Sequence, residues 1–487
     1  PVTKFNFTLI DEKGSLRMEK KNPLAQTLSR RQMLRLMGGA VGMTALAACA
    51  VPVAPGTAPA GDAGAPAEAP RTLIVNHRRE YFEEMETLFA AAVQNWATAN
   101  NVEVETSTVA AEANQDFVPK LLAQVEAGNP PDLVYHVRLV QQLYAFNALE
   151  PVSDTVTEAI ALYGDPSFGH FANNQIEGEW YGIPYINSGG GHFARRSVFE
   201  AIGVDPLTDL VTYDQIREAA LAVSGPDMYG WGRTVNRGGD GHGTVLDIIK
   251  NWGGSVTNAD MSELTFNSAE TVAAVEWLTE LYTSEQYAGA IPPGVMAWTD
   301  SSNNEAYLAG NLGYTSNAAS VYAAAKANGS PYFEDTVVLN IPIGPYGEQF
   351  IGGGGNGQMQ IPRGAKNIAD AKALAMNLLD PEVFLPISLV SAGLFLPAYA
   401  NYYAMDEVVA AFEADENLKR LGEQTQGTDV GFSWPAPPSP YFDAVQAQSV
   451  LNDMMAQTIT QGVSPADAVA QAQDRMAQIA EEMGMSF

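Results

Sequence analysis

Cysteine is almost missing: Cys49 is the only thiol in 487 residues. An intrachain disulfide is therefore excluded, and with Cys49 modified so are a thiolate metal site and a cysteine nucleophile. Basic residues are scarce as well, 26 Lys/Arg against 56 Asp/Glu for a net charge of −30. Residues 1–48 hold 8 of the basic and 3 of the acidic ones, so the remainder carries 18 against 53. A basic nucleic-acid footprint is absent, and acidity of this size favours solubility without specifying a fold. The five histidines (77, 136, 170, 192 and 242) never pair at i, i+4, and no H-E-x-x-H motif exists. No Walker lysine follows a glycine run. Gly352-Gly353-Gly354-Gly355-Asn356-Gly357 satisfies G-x-G-x-x-G but leads into Gln358-Met359-Gln360-Ile361-Pro362. That reads as a strand ended by proline, not a helix that could receive a pyrophosphate. Ser188 precedes three glycines without the G-x-S-x-G elbow. No metal, no cofactor and no catalytic residue is expected.

What is present starts with an address. Ser29-Arg30-Arg31-Gln32-Met33-Leu34-Arg35, a short apolar run and Leu46-Ala47-Ala48-Cys49 are the parts of an export signal. The paired arginines point to the twin-arginine route. Met33 and Arg35 depart from the Phe and Lys preferred there, which keeps the general secretory route open. Leu36 to Ala48 is too short for a membrane span of ~20 apolar residues. Leu46-Ala47-Ala48-Cys49 resembles the bacterial lipobox, which implies cleavage before Cys49 and acyl chains on it, holding the protein at a membrane surface. Met18 would make a more ordinary start than the residues before it. Ala50 to Pro70, nearly all Ala, Pro and Gly, cannot build a core and reads as a tether of roughly 25 Å.

The remaining length suits two lobes of ordinary domain size. Thr72-Leu73-Ile74-Val75 reads as a buried strand ending in the polar loop Asn76–Tyr81. Helical spacing follows from about Phe82 to Ala99, alternation at 102–106, helix at 116–127, a Gly128-Asn129-Pro130-Pro131 stop and a strand at 132–135. That order predicts an α/β fold with mostly parallel strands. Ligands of such sheets sit beyond the carboxyl ends of the strands, which singles out the loops at Asn76 and Tyr135.

Ala127-Gly128-Asn129-Pro130-Pro131-Asp132-Leu133-Val134 resembles the A-G-x-x-P-D-[LIV]-[LIV] segment of the family 1 extracellular solute-binding proteins, the maltose-binding type of receptor. Ala148–Val152, Tyr181-Gly182-Ile183-Pro184-Tyr185, Phe193–Val204, Leu308–Tyr314 and Ile341–Pro345 match further family segments in order. The resemblance implies a two-lobed periplasmic-binding-protein-like fold of type II, each lobe a mainly parallel sheet flanked by helices. Lobe 1 would hold 71–185 and 343–385, and lobe 2 would hold 186–342 and 386–487. It also implies a monomer that performs no chemistry: a carbohydrate, an oligosaccharide in the first instance, is captured in the interlobe cleft and passed to ABC permease subunits. With the anchor at Cys49, the work is done at the outer face of the cytoplasmic membrane.

By that resemblance the first lobe's cleft edge carries His77, Arg78 and Arg79 within the loop ending at Tyr81, then Tyr135, His136 and Arg138. Tyr185, Asn187 and Ser188 sit at the first crossing. The second lobe supplies Trp231, Arg233, Arg237, Asp240, His242, Trp298, Asp300 and Asn317. Gly353 and Gly354 return to the cleft, and Trp434 and Tyr441 precede the C-terminal helices. Aromatic faces suit sugar rings, and Asn, Asp, Arg and backbone amides suit hydroxyls. Trp96, Trp252 and Trp277 belong to apolar helical patterns and are expected in the core. Trp231, Trp298 and Trp434 stand open between core and cleft. One departure argues against a plain maltodextrin receptor: the family's stacking aromatic falls at Ser320 or Ala318.

Arginines gathered in candidate cleft loops suit an acidic sugar, gripped bidentately, unless they pair with local acids such as Glu80 and Asp240. Two other readings stay in view. One is an anchored carbohydrate-active hydrolase with Asp240 and Asp300 as its carboxylate pair. The other is the same receptor class binding a peptide or polyamine.

Overall fold

The computed structural model describes residues 71–109, 114–136 and 140–487. The expected export signal, the expected lipidation at Cys49, the expected tether and Arg138 lie outside the described residues.

Two sheets organise the chain. The strands are β1 (Arg71–Arg78), β2 (Val102–Val109), β3 (Leu133–His136), β4 (Gln175–Ile176), β5 (Glu179–Trp180) and β6 (Ile183–Ser188). They continue with β7 (Gly190–Arg195), β8 (Tyr229–Trp231), β9 (Leu312–Ala318), β10 (Thr336–Val338), β11 (Gly357–Gln360) and β12 (Phe395–Pro397). A six-stranded sheet has the order β12-β6-β11-β3-β1-β2, a four-stranded sheet the order β10-β7-β9-β8, and β4 and β5 form a small hairpin.

Both large sheets are mixed rather than mainly parallel. β1 runs parallel to β2 and β3, as their helical crossovers require. β11 and β12, which return to this sheet from the far end of the chain, enter antiparallel to their neighbours. In the smaller sheet only β8–β9 is parallel. Phe395–Pro397 lies in the stretch expected in the second lobe, yet it pairs with β6 of the larger sheet.

The helix Glu83–Ala99 covers the larger sheet with Met85, Phe89, Val93, Trp96 and Ala97, one face at helical spacing. Three glutamates in its first turn sit at the positive end of the helix dipole. A second core gathers Trp231, Trp277 and Tyr314 with the C-terminal helices, and Trp252 packs against it.

The chain passes between the sheets three times. The first passage is the single residue Gly189 between β6 and β7. A Cβ there would lie 2.0 Å from the Gly393 carbonyl oxygen. The Gly189 amide donates to Leu394 O at 3.3 Å, and its carbonyl accepts from the Ala319 amide at 2.8 Å. The second passage is 339–356, and the third runs from 398 to the helix Pro440–Ala447.

Gly189→Ala should therefore destabilise the protein by about 1–3 kcal/mol through overpacking. Gly243→Ala, in open space within the helix Gly239–Trp252, should stabilise it by about 0.5–1 kcal/mol. Urea unfolding of the two variants checks both signs.

Candidate functional site

β1 ends at Arg78, β6 at Ser188 and β9 at Ala318. Because β11 and β12 run the other way, their leading residues Asn356 and Leu394 arrive at the same edge as the end of β6. These five residues, with Tyr81 and Ser320, line a cavity of about 220 Å³. It lies at the strand ends between the two sheets, where open α/β sheets take ligands.

Its walls differ. From the larger sheet come the guanidinium of Arg78 and the half-exposed ring of Tyr81. From the smaller sheet's side come the small Ala318 and Ser320. Behind them lies a chain of carboxamides. Asn317 Nδ2 donates to Asn303 Oδ1 at 3.1 Å and to Asn304 Oδ1 at 2.5 Å. Asn303 Nδ2 donates to Asp240 Oδ2 at 3.0 Å. Asn304 Nδ2 donates to Ser320 Oγ at 3.1 Å and reaches the Tyr81 hydroxyl across the cleft at 3.5 Å. Asn303 and Asn304 escaped the sequence reading, and Asn356 lies in the glycine-rich stretch expected at the cleft edge without having been singled out. The signal available for the first two is the doublet Asn303-Asn304 near the start of the helix Ser302–Leu308.

Several expected cleft residues are interior. Tyr135 and Tyr185 meet edge to face at 5.0 Å under the larger sheet, both buried. His136 packs on Phe117 at 4.6 Å and His77 on Phe89 at 4.7 Å. The sheet's cover of helices on both faces removes their side chains from the cleft. Burial outweighs the nearby Glu86 and holds the His77 imidazole below its ordinary pKa.

Asn187 is a brace. Its Oδ1 accepts from Ser167 Oγ at 2.9 Å and the Gly355 amide at 2.8 Å, and its Nδ2 donates to Pro397 O at 3.0 Å. Gly353 and Gly354 are packed likewise: Gly353 O accepts from the Gly169 amide at 2.6 Å. A Cβ on Gly354 would strike Asn187 Oδ1 at 2.3 Å.

In the second lobe, Trp231 is fully buried, with Nε1 donating to the Tyr282 hydroxyl at 3.1 Å. Tyr441 is also core, donating to Met476 O. Trp298 is half-buried against the first core, and Trp434 stacks edge to face with Phe350 and Tyr346. Neither lines the cavity.

The expected gathering of arginines mostly resolves into ion pairs. Arg237 grips Asp453 with two bonds of 2.6 and 2.7 Å, and Arg233 bonds Asp247 at 2.6 Å. Arg79 points to solvent. Asp300 spends both oxygens on the backbone amides of Gly239 and Asp240, capping the helix Gly239–Trp252. Burial and the Asp300 charge push the Asp240 carboxyl up to about 7.

Arg78 is the exception. Its nearest acid among the described residues is Glu80, with Nε 3.8 Å from Oε2, beyond a hydrogen bond. Burial, opposed by Arg78 and reinforced by Glu86, pushes the Glu80 carboxyl up to about 8.

Residues 91–419 match the family of bacterial extracellular solute-binding proteins. The chain belongs to that family. A probable ABC transporter-binding protein of Deinococcus radiodurans is 26% identical over 215 residues, 42% of this chain and 49% of that protein. The chain thus matches about half the length of that curated relative. Among solved structures, an ABC transporter solute-binding protein of Thermotoga lettingae bound with α-D-tagatose superposes with a TM-score of 0.70 at 16% identity. The match covers 84% of this chain and 99% of that one. Maltose-bound MalE3 of T. maritima gives 0.69 at 17% identity, over 83% and 98%. The two-lobed fold is that of these extracellular solute-binding proteins.

Asn187→Ala removes three hydrogen bonds, two of them buried, and should cost about 3 kcal/mol in urea unfolding, at ~1 kcal/mol each. Glu80 has its own signature. Its folded pKa lies above the ordinary carboxylate value, so native stability should fall as pH rises from the ordinary range to about 8. Glu80→Gln should flatten the profile of melting temperature against pH across that window.

Proposed function

We propose that the protein is an exported receptor that captures a carbohydrate between two lobes and delivers it to an ABC importer. The observation that carries this reading is the cavity at the strand ends, walled from both sheets by one ring, one guanidinium and several hydroxyl and amide groups. Such a mixture suits a sugar, with Tyr81 for the ring face and Ser188, Ser320 and Asn356 for its hydroxyls. The fold neighbours named with tagatose and maltose support the same class. A volume of about 220 Å³ falls below the ~300–1,000 Å³ of drug-sized pockets and suits a short ligand over a long oligosaccharide.

In this reading the first lobe is built on the six-stranded sheet and the second on the four-stranded one. The passages at Gly189, 339–356 and 398–439 form the hinge. A lipid on Cys49 and the tether keep a monomeric receptor near its permease.

The rival readings meet specific difficulties. A polyamine site needs carboxylates, and no Asp or Glu lines the cavity. A hydrolase pair at Asp240 and Asp300 needs free oxygens, and Asp300 has committed both to a helix start.

A thermal-shift screen with neutral sugars, sugar acids, peptides and polyamines tests the reading. A sugar at 100 times its Kd should stabilise the fold by about 2.7 kcal/mol, and Tyr81→Ala should weaken that sugar roughly tenfold. Stabilisation by spermidine or a peptide alone would move the ligand class, and release of a cleaved product would move the protein to the hydrolases. Cys49→Ser should release the protein from membranes and leave sugar binding unchanged.

A further inference from the structure

Among the described residues Arg78 is the one cation in the cavity wall, and no described carboxylate comes within hydrogen-bond reach of it. Arg78 is 7% exposed, and buried charges are ordinarily paired because desolvating a lone ion is costly. Its Nε is buried without a hydrogen bond, and the guanidinium lies 5.0 Å over the Phe395 ring. The other six residues of the cavity wall, Tyr81, Ser188, Ala318, Ser320, Asn356 and Leu394, bring no carboxylate. Among the described residues the acid paired with Arg78 is Glu80, whose side chain is wholly buried at 3.8 Å and is absent from that wall. What remains is a guanidinium at the edge of a sugar-sized cavity, with hydroxyl and amide groups around it.

We propose that the cleft selects a small acidic sugar, a uronate or aldonate, whose carboxylate seats on Arg78 and whose hydroxyls meet Ser188, Ser320 and Asn356. This rests on the carbohydrate-receptor reading and narrows it. A guanidinium offers a carboxylate two parallel N–H donors, which a neutral hydroxyl cannot match. The protein's overall negative charge does not prevent this, since charges beyond about 8–10 Å are screened at physiological salt.

Glu80 makes the selection depend on pH. The groups around it are Arg78 and His77 on β1, Glu86 on the next helix, Tyr135 on β3 and Tyr185 on β6. The two buried phenols stay neutral, and Glu86 carries a negative charge that opposes a second one beside it. With its carboxyl pushed up to about 8, Glu80 is largely protonated at pH 7 and leaves Arg78 uncompensated. As pH rises through 8 it ionises and competes with the ligand for the guanidinium.

Calorimetric titration of the full chain with D-glucuronate, D-gluconate and D-glucose decides the matter. Expected at pH 7 is at least tenfold tighter binding of one acid than of glucose. Arg78→Gln should bring that ratio toward one, and Arg78→Lys should restore part of it. The ratio should fall between pH 7 and pH 9 in the native protein and hold steady in Glu80→Gln. An unchanged melting temperature shows that Arg78→Gln is folded. Should it unfold, the pH dependence and its loss in Glu80→Gln decide alone. Equal affinity for acid and neutral sugar, or a preference that Arg78→Gln leaves intact, overturns the proposal while the carbohydrate receptor stands. No binding of any of the three, with stabilisation by peptide or spermidine, overturns both.

Discussion

The backbone contact at Gly189 is the constraint on which the rest of the structure depends. Gly189 meets the carbonyl of Gly393 where any side chain would collide, and its own amide and carbonyl tie it to Leu394 and Ala319. Three distant pieces of chain are thereby held within one residue's reach. Two of them, Leu394 and the Ala318–Ser320 turn, supply cavity wall, and Ser188 beside Gly189 supplies more. The site is thus built around the passage between the lobes. A small change of backbone angle there would alter the distance between Arg78 and Ser320.

Polarity in the site comes mostly from amides. The carboxamides of Asn303, Asn304 and Asn317 fix one another, so their donors reach the cleft side already oriented. Asp240 anchors the far end. Preorganised neutral donors bind hydroxyls without the desolvation cost of a charge. Against that background a single guanidinium stands out chemically, and it can set specificity because nothing else in the wall carries charge.

The fold and the location of the site were more legible in the sequence than the residues that fill it. Strand Thr72–Val75, the helix after it and the Asn129-Pro130-Pro131 stop gave the β1–β3 unit, and the strand-end rule then led to the loop holding Arg78, while Ser188 came from the family resemblance. The same rule misassigned Tyr135 and His136. Side chains alternate across a strand, and without the β11 neighbour a four-residue strand does not reveal that both of its faces are covered. Trp231 failed for a related reason: its three-residue strand gives no periodicity to separate it from Trp298. The hydrogen-bond brace at Asn187 and the ion pairs of Arg233 and Arg237 join residues 14 to 216 positions apart. No local pattern encodes such distances. Ala318 and Ser320, where the resemblance places the family's stacking aromatic, line the cavity. That Tyr81 would face them from the other lobe follows only from the packing of two sheets.

Acidity and a bare arginine fit together in one physical picture. A chain with 53 acids against 18 bases beyond residue 48 holds few cations, and most described arginines are held in pairs. To leave one arginine uncompensated in such a chain, the neighbouring acid must be kept from ionising. Glu80 meets that condition by full burial beside Glu86 and under two phenols. Moving the same carboxylate into solvent would let it ionise and pair with Arg78, closing the one positive site among the described residues of the cavity wall. The interior placement of Glu80, and not merely the presence of Arg78, therefore gives the cavity its charge.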